Sequence, residues 1–100
     1  MREVSFVLFF DYMSEQTLIH LIDRNAATGT LWDNGGNTCW FNGQQLSILH
    51  RNPMVCNDGY SADVDYRGGV VVNYKYGSFS GQFGTSNPSP GKYEAAVWGC

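Results

Sequence analysis

The chain has 100 residues and a formal net charge of −3; charged residues make up 15% of it, aromatic residues another 15%, and glycine occurs 12 times. A disordered segment would have more charge and fewer aromatics, a nucleic-acid-binding domain would have a basic surplus, and a coiled coil would be rich in Ala, Glu, Lys and Leu. The composition therefore predicts a single globular domain over 1–100, mainly β.

The chain begins with an apolar segment, and residues 2–10 are predicted to form a strand. Val4, Phe6, Leu8 and Phe10 alternate with a period of two, as in a strand with one buried face. A secretory leader is the alternative, but the run is short and no small-residue cleavage site follows it. No apolar run approaches the roughly 18 residues that a membrane-spanning helix needs, so no membrane span is predicted.

The next segment, residues 14–24, is predicted to be the only helix. Ser14 can cap its start, Glu15 lies in the first turn and Arg24 in the last, which suits the helix dipole. The apolar run at residues 17–22 is also compatible with a strand.

From residue 28 to residue 98 the pattern predicts an antiparallel β region. Turn signals recur at short intervals, as in a small sandwich or barrel of about six to eight strands. The strongest signal is Asn42-Gly43, predicted to be the two-residue type I′ turn of a hairpin. Further elements are predicted as follows: turns at Asn34-Gly35-Gly36, Asn57-Asp58-Gly59, Gly68-Gly69 and Gly77, a hairpin of residues 69–76 and 78–83, a loop at 84–92 and a last strand at 93–98.

Three cysteines allow at most one internal disulfide. We expect Cys56 to pair with Cys100, because this bond would tie the last strand to the sheet; Cys39–Cys56 is the rival pairing. A disulfide would fit a secreted or extracellular protein, which the Asn- and Gly-rich composition also favours. The cysteines and histidines are too widely spaced for a zinc site, and no calcium-loop motif occurs, so no cofactor or metal is expected.

One pattern could support catalysis by a small hydrolase or ribonuclease. His50 could act as a base and Arg51 as an anion clamp, with a carboxylate from Asp58, Asp63 or Asp65. Asp63 and Asp65 would share one face of a strand. This hypothesis requires the His50 ring within hydrogen-bond reach of a carboxylate in a cleft.

The preferred interpretation is a non-catalytic recognition protein of the lectin-, effector- or toxin-like kind. Trp32 and Tyr60 are predicted to be aromatic platforms, with Asn34, Asn57 and Asp58 orienting polar groups of a glycan or protein partner. The alternative is that these aromatics are cross-strand pairs that hold the sheet. The basic residues are scattered, so nucleic acid is not an expected partner. A third class, a subunit that assembles through a β edge, would show a long uncovered strand.

Overall fold

The computed structural model describes residues 2–10 and 26–99, which form two antiparallel sheets. The six-stranded sheet has the order β5-β3-β2-β1-β10-β9, and the four-stranded sheet has the order β4-β6-β7-β8. The strands are β1 Arg2–Phe10, β2 Ala26–Asp33, β3 Gly36–Gln45, β4 Asn52–Pro53, β5 Val55–Cys56, β6 Tyr60–Tyr66, β7 Val70–Tyr76, β8 Phe79–Gly84, β9 Ser86–Ser89 and β10 Lys92–Gly99.

The mainly-β, antiparallel prediction is confirmed, but the two sheets do not close into a barrel, and the described residues form ten strands where six to eight were predicted. Two-residue strands, which have no period in the sequence, account for part of the difference. The described residues contain no helix, and the helix predicted for residues 14–24 lies outside them. None of the described segments is a helix long and apolar enough to cross a membrane.

The core lies between the inner faces of the two sheets, and strand alternation places its residues there. In β1, Val4, Phe6 and Leu8 are fully buried, as their period of two predicted. In the other sheet, Val64 and Val72 pair across β6 and β7 and are equally buried. Burying one such side chain contributes about 1.5–3 kcal/mol. The same alternation turns the residues between them to the two outer faces.

One buried polar contact joins the two sheets through Tyr74. Its hydroxyl donates a hydrogen bond of 2.7 Å to Asp33 Oδ2 and lies 3.4 Å from Thr38 Oγ1. Burial raises the pKa of Tyr74, and the bond to the Asp33 carboxylate raises it further. The neutral phenol is therefore the form that this fold accommodates.

The prediction of a hairpin turn at Asn42-Gly43 is wrong, because both residues lie inside β3. They form a β-bulge against the single residue Thr28 of β2, whose Oγ1 accepts a 3.2 Å hydrogen bond from the Gly43 amide. Gly43 has the positive φ that was predicted, at 57°, but Asn42, for which the type I′ turn also requires a positive φ, does not. A β-bulge and a type I′ turn both favour glycine at the position of positive φ, so the local sequence Asn42-Gly43 does not distinguish the two structures.

The other turns are mostly confirmed. Asn34 and Gly35 have φ 52° and 84° and join β2 to β3, which is the pattern of a type I′ turn. The β7–β8 hairpin also forms as expected, around Gly77. The loop predicted for 84–92 instead contains β9, which pairs with β10; its Pro88 is tolerated because β9 is an edge strand.

The structure contains a disulfide between Cys39 and Cys56, so the expected Cys56–Cys100 bond is wrong and the rival pairing is confirmed. The two residues lie directly opposite each other on β3 and β5, with Cα atoms 4.1 Å apart. The sequence did not show this pairing because β5 has only two residues and no pattern of its own. Cys100 lies outside the described residues. The bond is compatible with an extracellular location.

Candidate functional site

Trp32 lies on the outer face of the six-stranded sheet, opposite to the core. Its neighbours in β2, Leu31 and Asp33, are buried, so alternation turns the indole outward. In register with it across the sheet are Ser5 of β1 and, one strand further, Ala96 of β10. These two small side chains leave a depression beside the large indole.

The depression has a volume of about 480 Å³ and is open to solvent. Three polar residues line it, Ser5, Ser86 and Glu94. The Ser86 hydroxyl donates a 3.2 Å hydrogen bond to the Glu94 carbonyl, and the Glu94 carboxylate lies 3.6 Å from Lys92 Nζ. The side chain of Glu94 remains 41% exposed, so its oxygens can accept hydrogen bonds from a ligand. The lining also includes Phe6, Val7, Trp32, Ala95 and Ala96.

The predicted polar residues Asn34 and Asn57 hold the turns at one end of this sheet. Asn34 makes two hydrogen bonds to the backbone of Glu3. The backbone N–H of Asn34 donates to the Glu3 carbonyl at 2.7 Å, and the side-chain Oδ1 of Asn34 accepts from the Glu3 backbone N–H at 2.9 Å. Asn57 Nδ2 donates 3.1 Å to the carbonyl of Asn37. Asp58 follows at the exposed tip of the β5–β6 turn. Turn residues near Trp32 are thus fixed by backbone contacts.

Tyr60 lies on a different surface from Trp32. It belongs to the inner-face row of the four-stranded sheet, where its ring stacks on Tyr76 with centroids 4.4 Å apart and faces Tyr74 at 6.4 Å. Tyr60 and Tyr76 are register partners on β6 and β7, which is the cross-strand arrangement that stabilises sheets. The two predicted platforms therefore do not form one binding surface.

Of the residues of the catalytic hypothesis, Arg51, Asp63 and Asp65 meet on the outer face of the four-stranded sheet, whereas His50 and Asp58 do not join them. Asn73 Nδ2 donates 2.7 Å to Asp63 Oδ1 and 3.4 Å to Asp65 Oδ2. Arg51 Nε lies 3.8 Å from Asp65 Oδ2, with the arginine side chain 63% exposed. The His50 ring instead contacts the backbone: its Nδ1 is 2.9 Å from the Arg51 carbonyl.

This second surface is a polar groove of about 410 Å³. The side-chain nitrogen Nδ2 of Asn73 donates hydrogen bonds to the carboxylates of this groove, and the side-chain oxygen Oδ1 of Asn73 accepts a 2.8 Å hydrogen bond from Gln82 Nε2. Such a network can bind a polar ligand. Tyr74 contributes to the lining, but it is buried with its ring in the inner-face row beside Tyr60, so the described residues present no exposed aromatic ring in this groove. Among the described residues no three His, Cys, Asp or Glu side chains are grouped so as to hold a metal ion.

Sequence reasoning identified Trp32 but missed Ser5, Ser86 and Glu94. Ser5 lies opposite Trp32 because β1 pairs with β2. Glu94 and Ser86 approach Trp32 because β10 pairs with β1 and β9 pairs with β10. The signal that could have indicated Glu94 is its place two residues before Ala96, which puts both on one face of a strand.

No family model, no curated protein and no solved structure matches this chain. The two outer faces, with the depression beside Trp32 and the polar groove, are therefore the features that bear on function.

Proposed function

We propose that this protein is an extracellular recognition domain that binds a glycan in the depression beside Trp32. The observation that supports the proposal is the combination of one half-buried indole on the outer face of the sheet with a carboxylate and hydroxyls in a shallow, open cavity.

The chemistry of this depression matches the two kinds of surface on a sugar ring. The indole of Trp32 offers a flat apolar face, against which the C–H face of a pyranose can pack. The Glu94 carboxylate and the hydroxyls of Ser5 and Ser86 can exchange hydrogen bonds with sugar hydroxyls and so fix the orientation of the ring.

Rigidity of the depression also favours binding. Trp32 and Ser5 lie on β2 and β1, which are central strands paired on both sides. Little backbone ordering is then required when a ligand binds, which lowers the entropic cost of association. Because this cost is low, a ligand of only a few sugar rings can bind with measurable affinity in a small site.

A glycan array with the full chain, followed by titration calorimetry on any hit, tests the proposal. We expect Trp32→Ala to weaken binding at least tenfold, which corresponds to about 1.4 kcal/mol. Trp40→Ala is the matched control, because Trp40 lies on β3 of the same sheet and does not line the depression. We expect it to leave the affinity unchanged.

The outcomes separate the competing interpretations. Equal losses from both substitutions, or no glycan retained by the wild type, would contradict the proposal. Capture of a protein that depends on Trp32 would indicate a protein ligand at this face instead. Cleavage of a glycan or RNA that is lost in His50→Ala would support the hydrolase alternative.

A further inference from the structure

Over residues 2–10 and 26–99 the two sheets have four edge strands, and three of them are protected against pairing with another chain. β4 and β5 have only two residues each, and β4 ends at Pro53. β9 contains Pro88, which has no amide hydrogen to donate. Short length and proline are two of the devices by which natural sheets block edge-to-edge association.

The fourth edge strand, β8, has neither device. It runs over six residues, Phe79–Gly84, with no proline and no charged side chain. One side of β8 pairs with β7 along its whole length, from Tyr76 opposite Phe79 to Val71 opposite Gly84. No other described strand pairs with its opposite side. With respect to the described strands, that side therefore presents backbone donors and acceptors to an added strand.

The sequence of β8 is suited to pairing with itself. Phe79-Ser80-Gly81-Gln82-Phe83 has approximate two-fold symmetry about Gly81. An antiparallel pairing centred on Gly81 would place Phe79 opposite Phe83 of a second copy and Ser80 opposite Gln82. This register keeps the inner faces of both sheets on the same side, which a shift by one residue would reverse.

We propose that two copies of this chain associate through β8, joining their four-stranded sheets into one continuous sheet. The register would form two aromatic cross-strand pairs, each between Phe79 and Phe83 of different copies, at the half-buried inner margin of the sheet. The contact is isologous, so it closes at a dimer and does not propagate. The proposal is independent of the glycan site, since β8 does not line the depression beside Trp32.

Sedimentation velocity over a micromolar to millimolar series tests the association. We expect the mass to rise from 11.1 kDa towards twice that value with concentration. Ser80→Lys/Gln82→Lys would place like charges opposite each other across the two-fold axis and is expected to weaken the dimer at least 100-fold. The control Gln45→Lys/Ser89→Lys adds the same charge at exposed residues away from β8 and is expected to dimerise like the wild type.

A charge-reversal mixture tests the register itself. Ser80→Glu/Gln82→Glu is expected to be monomeric alone and to form a heterodimer when mixed with the lysine variant. Circular dichroism verifies that each variant is folded. A wild type that stays at 11.1 kDa throughout, or a lysine variant that dimerises like the wild type, would overturn the proposal.

Cross-linking gives a second measurement that does not depend on added charge. Gly81 would face its own copy across the axis, at a separation of about 4.5–5.5 Å between Cα atoms, which a disulfide can span. Gly81→Cys/Cys100→Ser is expected to form a covalent dimer on oxidation, whereas Ser89→Cys/Cys100→Ser is expected to remain monomeric. Equal cross-linking of the two variants would contradict the proposed register.

Discussion

At the scale of single residues, the Tyr74 phenol shows how a buried polar group couples stability to pH. Tyr74 is 2% exposed, and its hydroxyl donates a hydrogen bond to Asp33 between the sheets. Ionisation would place a phenolate in the core beside a carboxylate, and burial alone disfavours that form. The raised pKa therefore reflects a preference of the folded state for the protonated phenol.

This preference predicts a loss of stability in alkaline solution. The unfolded chain releases the Tyr74 proton near pH 10, whereas the folded protein holds it at higher pH. Above pH 10 the unfolded state thus binds fewer protons, and the free energy of unfolding falls as pH rises. Urea denaturation at pH 8 to 11 measures this decrease in the free energy of unfolding. Tyr74→Phe is expected to be less stable than the wild type at pH 8 but to show a smaller decrease in the free energy of unfolding as the pH rises. Parallel profiles would mean that Tyr74 titrates normally.

The bulge glycine gives a second prediction at this scale. Gly43→Val is expected to lower the free energy of unfolding by more than about 1 kcal/mol, because a β-branched residue adopts positive φ only with strain. Gly69→Val is the matched control, since a side chain there meets no atom within 4 Å and its φ is not positive. Thermal unfolding followed by circular dichroism compares the two. A melting temperature unchanged in Gly43→Val would contradict the bulge geometry.

At the scale of elements, the disulfide between β3 and β5 predicts a large effect of reduction. The bond closes a loop with a sequence separation of 17, and on the chain-entropy account this stabilises the fold by about 3 kcal/mol. Cys39→Ala/Cys56→Ala is expected to lose most of that stability and to become insensitive to reductant. A non-reducing peptide map is expected to yield one cross-linked peptide holding Cys39 and Cys56. A Cys56–Cys100 peptide would contradict the structure.

The elements that could be predicted are those whose signal is local. The alternation of β1 and the Gly77 hairpin of β7 and β8 follow from periods and turns within a few residues. Two-residue strands have no period, so β4 and β5 could not be found in this way. Pro88 made the β9 segment resemble a loop, because the sequence does not show that its strand lies at an edge.

The candidate site was only partly predictable for a related reason. Trp32 is recognisable as a large aromatic beside an Asn-Gly turn, but Tyr60 has the same local signature and lies in the inter-sheet row instead. The face on which each ring lies depends on strand register. Glu94 reaches Trp32 through pairings between opposite ends of the chain, which no local pattern encodes.

At the scale of the whole molecule, the central pairing of β1 with β10 predicts the order of folding. Val4 opposes Val97 although almost the whole chain lies between them, and closing so long a loop costs conformational entropy. By contrast, Val72 opposes Phe83 within a local hairpin. We therefore expect Val72→Ala to slow folding, with a φ-value above about 0.5, and Val97→Ala mainly to speed unfolding, with a φ-value below about 0.3.

Stopped-flow refolding and unfolding of both variants measure these values. The two substitutions are matched in chemistry, and both valines pack against the same core. A higher φ-value for Val97 than for Val72 would indicate that the terminal strands pair before the hairpin forms.

The pairing of β1 with β10 has a further consequence for protein architecture. Arg2 and Gly99 are backbone partners, so the polypeptide enters and leaves the fold at the same place, about 5 Å apart between Cα atoms. A unit of this kind can be inserted into a surface loop of a host protein without stretching either connection. The same proximity permits circular permutation: a short linker can join the two ends, and new ends can be opened at an exposed turn such as Gly68-Gly69.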